Sequence, residues 1–241
     1  MLIYGINPVI EALKAKRVTR HRVSGRSDRR IEELVQLAGR QGIPFDRVDA
    51  RTLERVAKGA VHQGVVADVE DLGDHSVQEL VDGLPLVVVL DGIEDPHNVG
   101  AILRTCDAAG VTGVIRQERH SAALDGVVGK ASAGALAHVR IATVVNIARA
   151  LEELKAANVW TIGLAGDAPD RYTDVDWTLP SAVVLGAEGT GLRRLVAERC
   201  DRLVGIPMRG AVDSLNVSVA AGVVLYEVVR QRSKSSKLFP R

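Results

Sequence analysis

Two short polar residues, Ser214 and Asn216, stand at the start of a predicted helix that is otherwise almost wholly apolar as far as Val229. Serine and asparagine are favoured helix N-caps because their side-chain oxygens accept hydrogen bonds from free backbone N–H groups. One cap is enough to begin a helix, so a pair of such residues also indicates a functional site. Capping and chemistry both remain open for these two residues.

Two further loops carry polar residues of the kind that chemistry uses, and each follows an apolar run that predicts a strand. The loop Asp91–Gly100 contains Asn98 and leads into Arg104. The loop Gly186–Gly191 contains Glu188. Ligands of open parallel sheets bind beyond the carboxyl ends of the strands, so the two loops and the helix entrance predict one shared site.

Each residue of these loops also has a simpler interpretation. Asn98 suits the cap of the helix that follows it, Glu188 suits a surface acid beside a turn, and Arg104 suits a solvated helix residue. Their joint occurrence in strand-following loops favours a site over three unrelated surface residues.

The glycines of the second loop allow backbone N–H groups to approach a ligand closely. The loop lacks the Lys-Ser/Thr pair that ends a triphosphate-binding loop, and its order of glycines differs from the Gly-x-Gly-x-x-Gly dinucleotide fingerprint. An adenosine-bearing cofactor held by main-chain groups of this loop and of a third loop, Ile206–Asn216, fits this pattern better than a triphosphate.

The elements that must position these loops predict an α/β fold with a mostly parallel sheet. The run Leu86–Leu90 is apolar throughout, which is typical of a parallel strand covered on both faces, and a helix over Asn98–Ala109 follows it. Further strands are predicted at Gly113–Arg116, Val159–Gly163, Ala182–Gly186 and Leu203–Ile206.

The first 70 residues alternate helix and strand signals and predict a separate small α/β module. An acidic segment rich in glycine and proline follows, so we place a linker there. The predicted organisation is an N-terminal domain at 1–71, a linker at 72–84, a catalytic domain at 85–232 and a flexible tail at 233–241.

Composition restricts the class of protein. The chain has 241 residues, of which 46% are hydrophobic and 25% charged, as expected of a folded soluble protein. No apolar run approaches the roughly 20 residues of a membrane span, which favours a cytoplasmic location without membrane contact. The cysteines, Cys106 and Cys200, lie in helical patterns without metal-ligand spacing, so we interpret Cys106 as a core residue.

The net charge of +1 conceals a basic segment between residues 14 and 30, where eight Lys and Arg face a single acid, Asp28. Such a run is either a solvated face or a surface that binds phosphates. Aromatic residues make up only 3% of the chain, so any RNA binding would depend on Arg, Lys and backbone groups more than on base stacking.

Several of these segments resemble the motifs of the SpoU/TrmH family of RNA ribose 2′-O-methyltransferases, within the SPOUT superfamily. The signature motifs are matched by Asp95–Arg104, Gly186–Gly189 and Ile206–Ser218. The segments Ile3–Val9 and Gly59–Gly64 are similar to the substrate-binding domain of the subgroup that methylates guanosine in bacterial 23S rRNA. The resemblance spans nearly the whole chain, in order.

The resemblance implies a deep trefoil knot in the SPOUT-type catalytic domain, a ribosomal-protein-like RNA-binding N-terminal domain, and a homodimer with its active site near the interface. It implies S-adenosylmethionine (SAM) as cofactor and no metal. The implied cofactor-binding residues are Leu164, Ala165, Gly166, Gly186, Gly189, Ile206, Met208 and Leu215. Related enzymes often have Thr where this chain has Leu164, so one side-chain hydrogen bond is in question.

The resemblance also implies the catalytic residues. Arg104 corresponds to the arginine that is thought to act on the ribose, either as a general base or by orienting the phosphate. A guanidinium stays protonated, so the orienting role is at least as well supported. Four further residues are implied to hold the attack geometry: Asn98, Glu188, Ser214 and Asn216.

We therefore expect SAM-dependent 2′-O-methylation of a guanosine ribose in large-subunit (23S) ribosomal RNA. Three alternatives stay open: the same chemistry on tRNA, methylation of an adenosine in rRNA as in resistance enzymes, and a catalytically silent protein that binds rRNA or assists ribosome assembly. The N-terminal module disfavours tRNA, and the intact polar residues of the three motifs disfavour the silent protein.

Overall fold

The structure is a computed structural model that describes residues 1–25, 29–70 and 73–235. Arg26 and Asp28 of the basic segment, residues 71 and 72 at the predicted domain boundary, and residues 236–241 of the predicted tail lie outside the described residues. The fold class is α/β, as predicted.

The chain forms two compact units. The first comprises Met1–Leu72, Val99–Arg104 and Ala123–His138, and the second comprises Gly73–Asn98, Thr105–Ala122 and Val139–Arg241. The domain boundaries drawn from the sequence stay a prediction.

The N-terminal elements follow the predicted alternation of helix and strand. They are β1 (Leu2–Tyr4), α1 (Ile6–Lys14), β2 (Val18–Ser24), α2 (Arg29–Arg40), β3 (Phe45–Val48), α3 (Ala50–Val56) and β4 (Val65–Val69). The four strands form one sheet in the order β1-β4-β2-β3, in which β4 runs antiparallel to both β1 and β2. A core of apolar side chains from α1, α2 and the sheet holds this unit together, and Leu13, Leu34 and Val65 are fully buried in it.

The remaining elements alternate strands and helices. They are β5 (Leu86–Asp91), α4 (Pro96–Ala109), β6 (Gly113–Gln117), α5 (Gly126–Ala131), β7 (Ile141–Val144), α6 (Ile147–Ala156), β8 (Trp160–Leu164), β9 (Asp170–Arg171), β10 (Ser181–Gly186), α7 (Arg194–Arg199), β11 (Arg202–Gly205) and α8 (Val217–Ser235).

The second unit contains a seven-stranded sheet in the order β7-β6-β5-β10-β8-β11-β9, and its pairings are all parallel. The predicted mostly parallel sheet is therefore confirmed. Every residue of β5 is buried, which explains why its sequence is apolar from Leu86 to Leu90. Within the predicted linker, a 3₁₀ turn at Val77–Leu80 packs on the sheet, and Leu80 lies so close to Gly113 that a Cβ there would be 2.5 Å from it.

Several sequence-based details need correction. Strands β1, β7 and β9 were not predicted, since they are only three, four and two residues long and lack a distinct pattern. Helix α4 begins at Pro96 and is capped by Asp95, so the interpretation of Asn98 as its cap is wrong. Helix α8 continues to Ser235, past the predicted start of the tail at residue 233.

The interpretation of Cys106 as a core residue is confirmed. Cys106 is fully buried, and burial raises the pKa of its thiol, in keeping with a core residue. Within residues 1–25, 29–70 and 73–235, no helix is both long and apolar enough to cross a membrane.

Four residues of the basic segment form ion pairs with acidic residues of the same unit. Arg20 pairs with Asp46 at 2.6 Å, and Arg22 pairs with Asp68 at 2.8 Å. Lys14 and Arg29 form further ion pairs with Glu11 and Glu33 on their own helices. Four of the eight basic residues thus have an acidic partner, and phosphate binding by this segment stays a prediction.

A buried histidine lies in the middle of β2. His21 has no exposed surface, stacks on Phe45 with ring centroids 5.6 Å apart, and neither ring nitrogen has a hydrogen-bond partner among the described residues. Burial lowers the pKa of His21 below 6.5, and the opposing effect of Asp46 is smaller. The folded unit therefore holds this imidazole neutral.

We predict that the protein loses stability in acid through His21. Because the folded-state pKa lies below the unfolded value, the contribution of His21 is complete above about pH 6.5 and is lost as the pH falls through the folded pKa. Urea unfolding at pH 7.5 and pH 5 should show a larger loss for wild type than for His21→Phe, which keeps the ring stack. Equal losses in the two proteins would contradict this prediction.

Candidate active site

The carboxyl ends of the parallel strands bring the motif loops together within the second unit. Strand β10 lies beside β5 in register, with Gly186 opposite Asp91, so the two following loops leave the sheet as neighbours. Strand β11 lies beside β8, with Val204 opposite Leu164. The sheet thus positions the first two motif loops directly and the third through β11.

The loop after β10 is a tight turn that depends on glycine. Ala187 and Gly191 close it with two backbone hydrogen bonds of 3.1 and 2.9 Å. Gly189 and Gly191 both have positive φ, at 76° and 68°, which residues with a side chain rarely adopt. A Cβ on Gly186 would lie 2.2 Å from the Gly191 backbone, so no larger residue fits there.

The Asn216 side chain joins all three motifs. Its Nδ2 donates to Asn98 Oδ1 at 2.9 Å and to Glu188 Oε1 at 2.6 Å. Its Oδ1 accepts from the backbone N–H groups of Ser218 and Val219 at the start of α8, at 2.9 and 3.4 Å. Asn216 is therefore both the cap of α8 and the link between the loops, so the two interpretations of this residue hold together.

This arrangement determines the orientation of the Asn98 amide. Asn216 uses its oxygen for the helix cap, so only its NH₂ group faces the other motifs, and Asn98 must present its oxygen. The NH₂ group of Asn98 is then directed elsewhere, and it has no acceptor among the described residues. Asn98 is only 6% exposed, so this donor is available for a ligand that enters the site.

Two of the predicted catalytic residues take no part in these hydrogen bonds. Ser214 Oγ donates to the carboxylate of its neighbour Asp213 at 3.1 Å and contacts neither Asn98 nor Glu188. Arg104 lies on α4 with an exposed side chain, and it forms no ion pair with a described residue. It belongs to the first compact unit, and its place beside the cluster stays a prediction.

The predicted cofactor-binding residues lie at the ends of β8 and β10 and on the loops that follow β8, β10 and β11. Gly205 allows a close approach, since a Cβ there would be 3.2 Å from the Ala165 carbonyl oxygen. The backbone N–H groups of Met208 and Leu215 have no acceptor within the described parts of the chain, so they are available as donors. Leu164 offers no side-chain donor. Main-chain groups and apolar side chains suit an adenosine group, and the role of each residue stays a prediction.

Groups of three or more His, Cys, Asp or Glu able to hold an ion are absent from residues 1–25, 29–70 and 73–235.

One pair of site residues was missed by the sequence reasoning. Asp91, at the end of β5, is 1% exposed and forms an ion pair with Arg193, which follows the β10 loop. The available signal was an acid directly after an apolar buried strand, because a buried carboxylate needs a partner. The partner lies 102 residues away, so its identity was not visible in the sequence.

Comparison with known proteins assigns each of the two parts of the chain to a protein family. Residues 85–226 match the SpoU rRNA Methylase family, and residues 2–82 match the family described as RNA 2′-O ribose methyltransferase substrate binding. The 23S rRNA (guanosine-2′-O-)-methyltransferase RlmB of Pseudomonas aeruginosa is 44% identical over 240 residues, which cover 96% of each chain. The RlmB protein of Ralstonia nicotianae is 46% identical over 87% of this chain and 86% of its own.

Solved structures show the same fold. The SpoU methyltransferase AviRb from Streptomyces viridochromogenes, in complex with AdoMet, superposes with a TM-score of 0.85 at 27% identity, covering 97% of this chain and 90% of its own. The A. aeolicus TrmH/SpoU tRNA modifying enzyme is 32% identical with a TM-score of 0.58, and it covers 66% of this chain and 82% of its own.

We predict that Asn216→Asp separates the two functions of this side chain. Aspartate caps a helix as well as asparagine does, so α8 should keep its circular dichroism signal. The new carboxylate cannot donate to Asn98 and repels Glu188, so the free energy of unfolding should fall by about 1–3 kcal/mol. Urea denaturation measures the change.

The control is Ser218→Ala, which removes only the hydroxyl bond to Asn216 Oδ1 and leaves both inter-loop bonds in place. It should cost clearly less than Asn216→Asp. Wild-type stability in Asn216→Asp would show that the inter-loop hydrogen bonds contribute nothing.

Proposed function

We propose, because this chain belongs to the SpoU rRNA methylase family, that it transfers a methyl group from SAM to the ribose 2′-hydroxyl of a guanosine in 23S rRNA. The observation that carries the proposal is the Asn216 side chain, which connects the three family motifs through hydrogen bonds at one edge of the parallel sheet. A catalytically silent fold would have no need to keep this arrangement of Asn98, Glu188 and Asn216.

The extent of similarity supports 23S rRNA over tRNA as substrate. The RlmB protein of Pseudomonas aeruginosa, a 23S rRNA (guanosine-2′-O-)-methyltransferase, covers 96% of this chain. The tRNA modifying enzyme from A. aeolicus covers only 66%. The matched substrate-binding region at residues 2–82 is the part that we propose to hold the ribosomal RNA.

The cofactor supplies an electrophilic methyl group, and the chain supplies binding and orientation. We infer that the main-chain donors of Met208 and Leu215, together with the glycine turn after β10, hold SAM. The free NH₂ group of Asn98 serves as a hydrogen-bond donor to the reactants. The hydrogen bond from Asn216 holds the Glu188 carboxylate in a fixed position. Positioning of this kind lowers the barrier to attack by a weak nucleophile such as a ribose hydroxyl.

Arg104 is proposed to orient the substrate phosphate. A guanidinium stays protonated at neutral pH, which makes it a poor general base and a good partner for a phosphodiester. Its side chain is exposed and has no ion pair among the described residues, so its charge is available to RNA.

We further propose a cytoplasmic homodimer with a knotted catalytic domain. Helix α8 carries an exposed apolar stripe, in which Val219 is 51% exposed and Tyr226 is 54% exposed. Seven residues are two helical turns, so these side chains lie on one face. Exposed apolar side chains aligned along a helix are typical of a surface that another subunit covers.

We predict that Arg104→Ala lowers methyl transfer by about 100-fold or more while SAM binding changes little. The assay measures transfer from labelled SAM to 23S rRNA isolated from cells that lack the modification, and calorimetry measures cofactor binding. Arg149→Ala is the matched control, since Arg149 is also an exposed helical arginine and pairs with Glu153 on its own helix. Full activity in Arg104→Ala would refute the assigned role.

A second prediction concerns the subunit contact. Light scattering should give wild type a mass of about twice 25.7 kDa, and Tyr226→Arg should shift the protein toward 25.7 kDa, because a charge in an apolar interface is not solvated. Trp160→Arg is the control, since Trp160 is 50% exposed and lies outside α8. A wild type that is monomeric at micromolar concentration would contradict the proposed dimer.

A further inference from the structure

The carboxylate of Asp91 is fully buried and accepts three N–H groups from one residue. Its Oδ2 accepts from the backbone N–H of Arg193 at 2.9 Å, and its Oδ1 accepts from Arg193 Nε at 2.7 Å. Arg193 Nη2 completes an ion pair with the same oxygen. The Asp91 side chain has no exposed surface, whereas that of Arg193 is 48% exposed.

This pair fastens the far end of the loop that carries Glu188. The near end of the loop is fixed at Gly186, which lies opposite Asp91 in the paired strands. The far end is fixed because the Arg193 backbone binds the same Asp91. One buried carboxylate thus sets the distance between the two ends of the loop.

The loop has one other anchor at its far end, because Leu192 is partly buried and packs against the core of the sheet. Its residues from Glu188 to Gly191 are all exposed, so they contribute no buried apolar contacts. Apart from the turn between Ala187 and Gly191 and the packing of Leu192, the described contacts that fix Glu188 are its hydrogen bond to Asn216 and the anchor at Arg193. A loop of this kind moves readily when one anchor is lost.

Stabilisation of the fold does not by itself explain why Asp91 and Arg193 form an ion pair. A buried ion pair is often no more stabilising than a well-packed apolar pair, because both charges must leave water. The geometry of the pair is specific, since a bidentate arginine and a backbone N–H together allow a single arrangement of the chain. Such a contact contributes to the placement of the loop more than to the free energy of folding.

We propose that Asp91 is a positioning residue for methyl transfer, which acts through Arg193 and the glycine turn to hold Glu188 in its working place. The proposal rests on the function proposed above, and it adds a pair of residues outside the polar cluster of Asn98, Glu188 and Asn216. Asp91 itself contacts neither RNA nor cofactor in this account.

The first test measures the loop directly. In Asp91→Asn an NH₂ group replaces one oxygen and faces an N–H donor of Arg193, so the anchor weakens. Hydrogen–deuterium exchange of the Ala187 and Gly191 amides should become about 10-fold faster or more. Arg193→Lys keeps the charge and the backbone bond, so it should give a smaller increase and serves as the variant that disturbs folding least.

The matched control is Asp201→Asn. Asp201 accepts from the backbone N–H of Thr161 at 2.9 Å and pairs with Lys155 at 2.9 Å, so its chemistry is like that of Asp91. It lies beside the start of β8, at the opposite edge of the sheet from the motif loops. Asp201→Asn should lower the melting temperature without changing exchange at Ala187 and Gly191.

The second test asks whether Asp91 acts through Glu188. At a temperature where all variants are folded, Asp91→Asn should lower kcat about 10-fold with a smaller change in the KM for RNA. In a Glu188→Gln background the same substitution should change kcat less than about 2-fold, because the group that it positions is already lost. A destabilised fold alone would reduce kcat equally in both backgrounds.

The outcomes separate the two proposals. An inactive wild type refutes the proposed methyl transfer, and the exchange experiment still decides whether Asp91 holds the loop. An active wild type with unchanged exchange in Asp91→Asn overturns the positioning role. Multiplicative effects of Asp91→Asn and Glu188→Gln on kcat also overturn it.

Discussion

The amide of Asn216 is the contact on which the site depends, because its two ends have different tasks. The oxygen caps α8, and the nitrogen donates to Asn98 and Glu188. Rotating the Asn216 amide by 180° would remove the cap of α8. The start of α8 therefore determines the orientation of the Asn98 amide as well. Local helix chemistry thereby determines which hydrogen-bond donors the site offers to a ligand.

The parallel sheet makes this contact possible. Strands β5 and β10 end side by side, which brings segments from widely separated parts of the sequence to one edge. Gly186 lets the following turn fold tightly against its own backbone, and the buried Asp91 fastens that turn to the end of β5. Regular structure determines where the loops begin, and a few polar contacts determine where their tips lie.

The sequence was sufficient for the elements with strong local patterns and insufficient for long-range pairs. β5 was predictable because Leu86–Leu90 is apolar throughout, and the first two motif loops were predictable because each follows an apolar strand. The cap of α4 was misassigned, although Asp95 followed by Pro96 is a stronger start signal than Asn98. The partner of Asp91 was invisible, since no local pattern links residues 102 positions apart.

The ion pairs of the basic segment bear on how a nearly neutral chain can bind RNA. Arg20 and Asp46 are both partly exposed, with 52% and 40% of their side-chain surface accessible. Exposed pairs of this kind contribute little to stability, so a phosphate can replace the aspartate at small cost. The net gain from each exchange is smaller than that from an unpaired arginine, because the displaced acid still repels the phosphate. Strong binding therefore requires cations that have no acidic partner, and the exposed Arg104 is such a residue within the described chain.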